Sequence, residues 1–214
     1  MRSGEVRSSE FEAALIALNR LEVSRLLTDE RDERPVAVRV EQDVVPAMER
    51  LGRLWEDGKV SLSQVYMSGR ICEELVGRLL PQCAEPSDGE ARIGLAVLED
   101  RHMLGKRMVA ATLTAAGHTF FDYGSTNADT LVERAGADGV DLLLVSTLML
   151  NSALSVRRVR DGLNRLGRPV KIVVGGAPFR LEPELWRETG ADAMCRNASE
   201  VVSMIARFSG GDLL

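Results

Sequence analysis

The feature that most constrains the fold of this chain is a change of rhythm between residues 83 and 90. Before it, apolar residues recur at helical spacing. After it, short unbroken apolar runs alternate with helical segments. Phe11, Leu15 and Leu18 mark a first helix from Ser8, with Ser8 or Ser9 as its cap and residues 1–7 as a frayed terminus. Leu21 to Leu27 predicts a second helix. The charged run Thr28 to Arg34 reads as a solvated connector. Pro35 suits the first turn of a third helix, apolar at Val40, Val44, Val45, Met48, Leu51 and Trp55, which Pro46 should bend or divide and Asp57-Gly58 should end. Ser61 caps a fourth, apolar at Leu62, Val65, Tyr66, Ile71, Leu75 and Leu79 and stopped by Pro81. Four helices on short links predict an all-α four-helix bundle.

Cys83 to Glu90, with Pro86, Ser87, Asp88 and Gly89, is the linker. Beyond it, Ile93–Leu98, His118–Asp122, Leu142–Val145, Val170–Val174 and Ala191–Met194 are strand candidates separated by helical segments, and Ser199 to Phe208 reads as a last helix. Strands alternating with helices predict an α/β, doubly wound parallel sheet of about five strands. The expected organisation is a helical domain at 8–82, a linker at 83–90 and a sheet domain at 91–210.

A net charge of −5 offers no field for nucleic acid, so no direct nucleic-acid partner is expected. No apolar run reaches membrane-spanning length, and the N-terminus carries no signal-like apolar region. Cys72, Cys83 and Cys195 are odd in number and lack metal-type spacing, which predicts reduced, buried thiols in a cytoplasmic protein.

The chemistry concentrates on Glu99-Asp100-Arg101-His102-Met103-Leu104-Gly105-Lys106, between the first strand and the following helix. In an open α/β sheet, ligands bind at the carboxyl ends of the strands. A dinucleotide site would put Gly-x-Gly-x-x-Gly here, and this turn does not. No P-loop is present either. A phosphoryl-receiver domain would end its third strand on aspartate, where this chain has Ser146. What stands here is Asp-x-His-x-x-Gly. A histidine that donates one ring N–H to a carboxylate presents its other nitrogen as a more basic metal ligand, and Asp100 is close enough to be that carboxylate. Gly105 would let a bulky group pass near the backbone. Ser146-Thr147-Leu148 follows the third strand and Gly175-Gly176-Ala177-Pro178 the fourth. A hydroxyl there can bond a ring nitrogen or phosphate, and paired glycines permit close approach.

Asp100/His102/Gly105, Ser146/Leu148 and Gly175/Gly176 resemble the pattern of the cobalamin (B12)-binding domain family. The bundle resembles the helical domain of corrinoid proteins of methyltransferase systems and of methionine synthase. Val45 to Gly58, Leu62-Ser63-Gln64 and the helix ending at Pro81 carry that likeness. The resemblance implies a flavodoxin-like, Rossmann-like domain and a cobalamin cofactor, as methylcobalamin or another cobalt corrinoid, bound base-off with His102 as lower axial ligand. Asp100 would hydrogen-bond that histidine, Ser146 would bond the tail's benzimidazole, and Gly105, Gly175 and Gly176 would leave room for the tail. Arg101, Met103 and Leu148 would border the cofactor. A cap over its upper face would come from Trp55, Tyr66, Met67 and Arg70, with bundle core the competing reading for the first three and plain surface for Arg70. The implied function is to carry a methyl group on cobalt between donor-side and acceptor-side methyltransferase proteins, as a carrier rather than a catalyst, with a homodimer compatible.

Some residues depart from that pattern. Methyl carriers usually have glycine where Glu99 stands, an aliphatic residue at Arg101 and aspartate at Met103. After Ser146-x-Leu148 they are rich in threonine, where this chain has Met149-Leu150-Asn151-Ser152. Two other readings compete. One is a cobalamin-dependent sensor, which Leu54-Trp55-x-x-Gly58 also resembles; light-sensing members carry Glu-His where Val65-Tyr66 stand. The other is the small subunit of a cobalamin-dependent mutase, which the helical domain disfavours.

Overall fold

The computed structural model describes residues 2–79 and 91–209. The chain divides into two compact units, Met1–Leu80 and Pro81–Leu214. The linker expected at 83–90 lies outside the described residues.

The first unit is helical: α1 (Arg2–Ile16), α2 (Arg20–Leu27), α3 (Val36–Arg39), a π-helical turn (Val40–Val44), α4 (Val45–Glu56) and α5 (Leu62–Leu79). Helix α1 begins at Arg2, so residues 2–7 of the expected frayed end are helical, and Ser8 and Ser9 lie inside the helix rather than capping it. Phe11 and Leu15 enter the core. Leu18 instead takes a left-handed turn (φ 54°) beyond the helix end. Asn19 Oδ1 then accepts from Glu22 N at 3.2 Å and caps α2. Pro46 falls in the first turn of α4 and does not interrupt the helix. The helical run 36–56 stays continuous, with the π turn immediately before the proline. A proline lacks the N–H for a normal helical bond, and a wider turn ahead of it lets the chain re-register. Ser61 and Gln64 form a reciprocal capping box: Gln64 N donates to Ser61 Oγ (3.2 Å) and Ser61 N to Gln64 Oε1 (2.9 Å).

The charged run 28–34 is more than a solvated connector. Arg39, 8% exposed, donates to Leu27 O (2.7 Å), Asp29 O (3.2 Å) and Arg34 O (3.0 Å). Arg34 bridges Asp32 and the buried Asp43 at 2.7 and 2.8 Å. A buried guanidinium is tolerable here because three carbonyls receive its N–H groups.

The second unit is a five-stranded parallel sheet of order β2-β1-β3-β4-β5: β1 (Ile93–Leu98), β2 (Phe121–Thr126), β3 (Leu142–Ser146), β4 (Lys171–Gly175) and β5 (Ala193–Cys195). Its helices are α6 (Leu104–Ala115), α7 (Ala128–Ala137), α8 (Leu150–Leu154), α9 (Val156–Arg165), α10 (Ala177–Leu181), α11 (Leu185–Glu188) and α12 (Glu200–Ser209). Every residue of β1 is buried, as expected of a strand covered on both faces. One face packs Ile93, Leu95, Leu142, Leu144 and Val173 against Leu113 of α6 and Val201 and Ile205 of α12. The other packs Ala96, Leu98, Leu143 and Val145 against Leu131 of α7 and Val159 and Leu163 of α9.

The second strand lies later than the apolar run 118–122 suggested. Edge strand β2 runs on through Gly124, Ser125 and Thr126, and its polar half carries no apolar signal. Its pairing with β1 shifts by one residue, Leu95 facing Asp122 and Ala96 facing Gly124, and Gly124 takes φ 66° at that irregularity. The strand order reverses between β1 and β3, so the turns after these strands flank the crevice where doubly wound sheets bind ligands.

Candidate functional site at the carboxyl end of the sheet

The site is built around Asp100, whose side chain is 2% exposed. Its Oδ1 accepts from Arg101 N (2.7 Å), His102 N (3.1 Å) and the His102 ring Nδ1 (2.5 Å). Its Oδ2 accepts from Leu148 N (3.0 Å) and Met149 N (3.2 Å). One carboxylate thus ties the β1 turn to the β3 turn and fixes the imidazole. Burial is the largest single influence on Asp100 and pushes its carboxyl up. The donors from His102, Leu148 and Arg101 together outweigh it and hold the group below the usual range, so Asp100 is an anion.

With Nδ1 committed to Asp100, Nε2 is the nitrogen left to bind a metal, on a side chain 43% exposed. Among the described residues, no group of three or more His, Cys, Asp or Glu side chains could hold a metal ion. This donor set therefore suits a metal that brings most of its own ligands and takes one imidazole from the protein.

The turn is held from other directions too. Glu99 N donates to Thr126 O at 2.8 Å, and Ser125 Oγ donates to Asp100 O. Ser152 Oγ donates to Glu99 O at 2.9 Å. Lys106, 5% exposed, pairs with Asp122 of β2 and fastens the first turn of α6 to the sheet edge. Glu99 itself has φ 47°, a left-handed conformation that costs an ordinary residue about 1–2 kcal/mol and that glycine adopts freely.

Ser146 ends β3 on the face of Leu142 and Leu144, toward α6. A Cβ added to Gly105 would lie 2.9 Å from Ser146 Oγ. The glycine therefore keeps open the space beside that hydroxyl, a cradle that a side chain would fill. Gly176 has a second reason to be glycine. With φ 122°, a Cβ there would fall 1.7 Å from Thr147 O. Gly175 is also tight, at 3.2 Å from Cys195 O.

Of the residues singled out from the sequence, Asp100, Arg101, His102 and Leu148 converge directly, and Gly105 meets Ser146. Arg101 and Leu148 enter through backbone N–H groups. Their side chains are exposed, as are those of Met149 and Leu150, while Met103 lies at the start of α6. Sequence reasoning missed Met149 as an Asp100 partner, because a main-chain donor leaves no side-chain signature. It also missed Ser125, Ser152 and the Lys106–Asp122 pair, which only the fold brings to the turn. In the helical unit, Trp55 (45% exposed), Tyr66 (57%) and Met67 (44%) lie on its surface, so the bundle-core reading does not hold for them. Arg70 pairs with Glu73 at 2.8 Å.

A doubly wound sheet with one carboxylate-held histidine and an open cradle at its switch point is the architecture of a protein that could hold a bulky, metal-bearing cofactor. Comparison with known proteins gives the same class. Residues 92–206 match the B12 binding domain model, and residues 8–80 match a second B12 binding domain model. The chain belongs to the B12-binding domain family, as a corrinoid protein of the methyltransferase-system type, and its cofactor is a cobalamin-type corrinoid. Among its relatives, monomethylamine corrinoid protein 1 of Methanosarcina acetivorans is 34% identical over 170 residues, covering 74% of this chain and 77% of the relative. A corrinoid protein of Desulfitobacterium hafniense is 29% identical over 180 residues, covering 80% and 82%. The solved monomethylamine corrinoid protein of Methanosarcina barkeri superposes with a TM-score of 0.76 at 27% identity, covering 92% of this chain and 95% of that one. The methanol:cobalamin methyltransferase complex of Methanosarcina barkeri shares the fold, with a TM-score of 0.52 at 17% identity over 96% and 80%. No helix among the described residues is long and apolar enough to cross a membrane.

Proposed function

We propose that this chain carries a methyl group on the cobalt of a bound cobalamin between a donor-side and an acceptor-side methyltransferase, with His102 Nε2 as the lower axial ligand. The observation that carries the reading is the His102–Asp100 pair, Nδ1 to Oδ1 at 2.5 Å with the carboxylate buried. Asp100 holds the ring in one orientation and tautomer and leaves Nε2 for the metal. Ser146 Oγ and the cradle left by Gly105 would receive the nucleotide tail, with Gly175 and Gly176 beside it and Arg101, Met103 and Leu148 bordering the ring. When bound, the corrinoid supplies the methyl-accepting and methyl-donating chemistry; the protein binds, orients and screens it.

The exposed Trp55, Tyr66 and Met67, with Arg70, would cap the upper face, on a helical domain at 8–82 joined by the 83–90 linker to the corrinoid domain at 91–210. Relatives named for methylamine systems, and a fold neighbour solved as a methyltransferase complex, support methyltransferase partners. A reducing, cytoplasmic setting suits the unpaired, buried Cys72 and Cys195.

The test is to reconstitute wild type and His102→Ala with hydroxo-, methyl- and adenosylcobalamin and record visible spectra. Wild type is expected to show nitrogen-ligated, base-off cobalt, and the variant to lose that ligation. Matching spectra would remove the axial-ligand claim. A light-driven change of oligomeric state with adenosylcobalamin would replace the carrier by a sensor.

A further inference from the structure

Glu99 occupies a backbone conformation that suits glycine, so its carboxylate should offset the strain. Its Oε2 accepts from Ser155 Oγ at 2.7 Å and its Oε1 from Arg158 at 3.0 Å. Arg158 reaches on to Asp129 of α7 at 3.2 Å. Two consecutive residues of the turn therefore grip the same stretch, which runs from the end of β3 into the first turn of α9. Asp100 holds the main chain at 148–149, and Glu99 holds the side chains at 155 and 158. Ser152 Oγ, between those two anchor points, closes the set on Glu99 O.

The Asp100 carboxylate and the main-chain bonds of Glu99 and Asp100 already tie the turn to β2 and to the segment after β3. The Glu99 carboxylate adds a charged attachment one residue away, further along that segment, and so restricts the rotation left to the turn. We propose that the Glu99–Ser155–Arg158 cluster is a positioning latch that makes the His102 turn and the segment 148–158 one rigid body, keeping the imidazole in its ligating pose. None of the three side chains touches the cofactor in this account. They act through Asp100 and His102. The part of the proposal that concerns cobalt rests on the ligand role proposed above; the mechanical part does not.

The test compares wild type, Glu99→Gly and the double variant Ser155→Ala/Arg158→Met. The double variant removes the partners and leaves the turn's own sequence intact. In the apo protein, amide hydrogen exchange over residues 99–104 is expected to quicken about five- to tenfold in the double variant, which loses both bonds to the exposed Glu99 carboxylate, while α12 is unchanged. Glu99→Gly, which loses the same bonds but also relieves the strained φ, is expected to loosen the turn no more than the double variant does. Loaded with hydroxocobalamin, both are expected to show a smaller histidine-ligated fraction in the visible spectrum, with His102→Ala as the fully unligated end point. A lower melting temperature with unchanged turn exchange and unchanged spectrum would overturn the latch, because a merely structural ion pair behaves that way. Faster turn exchange, with wild type and His102→Ala spectrally alike, would leave the latch standing and remove the ligand reading.

Discussion

The turn after β1 and the turn after β4 both pass through left-handed backbone, at Glu99 (φ 47°) and Gly176 (φ 122°), yet they are stabilised by opposite means. The β4 turn depends on the absence of a side chain, since Thr147 O occupies the place of any Cβ. The β1 turn depends on side chains. Asp100 takes five donors, and Glu99 is bonded to Ser155 and Arg158. Steric exclusion gives the β4 turn one shape whatever the pH. The β1 turn is held by charge and hydrogen bonds, which can be titrated or deleted one by one. That contrast suits their positions, because the β1 turn bears the histidine while the β4 turn lies backbone against backbone on the β3 turn at Thr147.

The comparison breaks most severely at Gly176→Ala. The new methyl cannot share space with the Thr147 carbonyl, and the conformation is essentially reserved for glycine. A loss of about 3 kcal/mol or more is expected in urea unfolding. A change within experimental error would show that this turn moves easily and that the contrast is false. Next in size is Asp100→Asn, which replaces an acceptor-only group by one whose amide faces donors. About 2–3 kcal/mol should be lost at neutral pH. The native Asp100 carboxyl titrates below its ordinary value of 3.8, so its contribution is complete above that value and disappears as pH falls through the lower native one. The stability gap between wild type and Asp100→Asn should therefore shrink in acid. A gap that stayed constant down to the acid limit would mean that the charge does not hold the turns together. The smallest stability effect belongs to Gly105→Ala. It should stay within about 1 kcal/mol of wild type, because alanine favours the helix while its methyl crowds Ser146. Cobalamin affinity should nonetheless fall. Unaltered binding of the corrinoid would mean that the cradle beside Ser146 is not used.

Much of the fold was legible because burial on both faces writes unbroken apolar runs: Ile93–Leu98 and Leu142–Val145 read as strands and are strands. Strand β2 was misplaced because half of an edge strand can be polar, and Pro46 because a π turn ahead of it accommodates the missing N–H. At the site, Asp100 and His102 were legible together because a carboxylate two residues from a histidine can reach its ring without help from the rest of the chain. Glu99 registered only as an oddity. Ser155 and Arg158, which bond its carboxylate, stand more than fifty residues away, and neither a serine before α9 nor an arginine within it points to a turn after β1.

By itself, the sequence determined the change from helical bundle to wound sheet, the presence of an acid–histidine pair on the first turn, and the glycines where backbone must pass close. Those are local properties, fixed by periodicity and by the reach of a side chain along its own chain. Only the tertiary structure decided that the Asp100 carboxylate also receives Leu148 and Met149, that Lys106 meets Asp122, and that Glu99 is bonded to Ser155 and Arg158. Parallel sheets bring the carboxyl ends of distant strands side by side, and the hydrogen bonds that shape the site form only once that crossing is made.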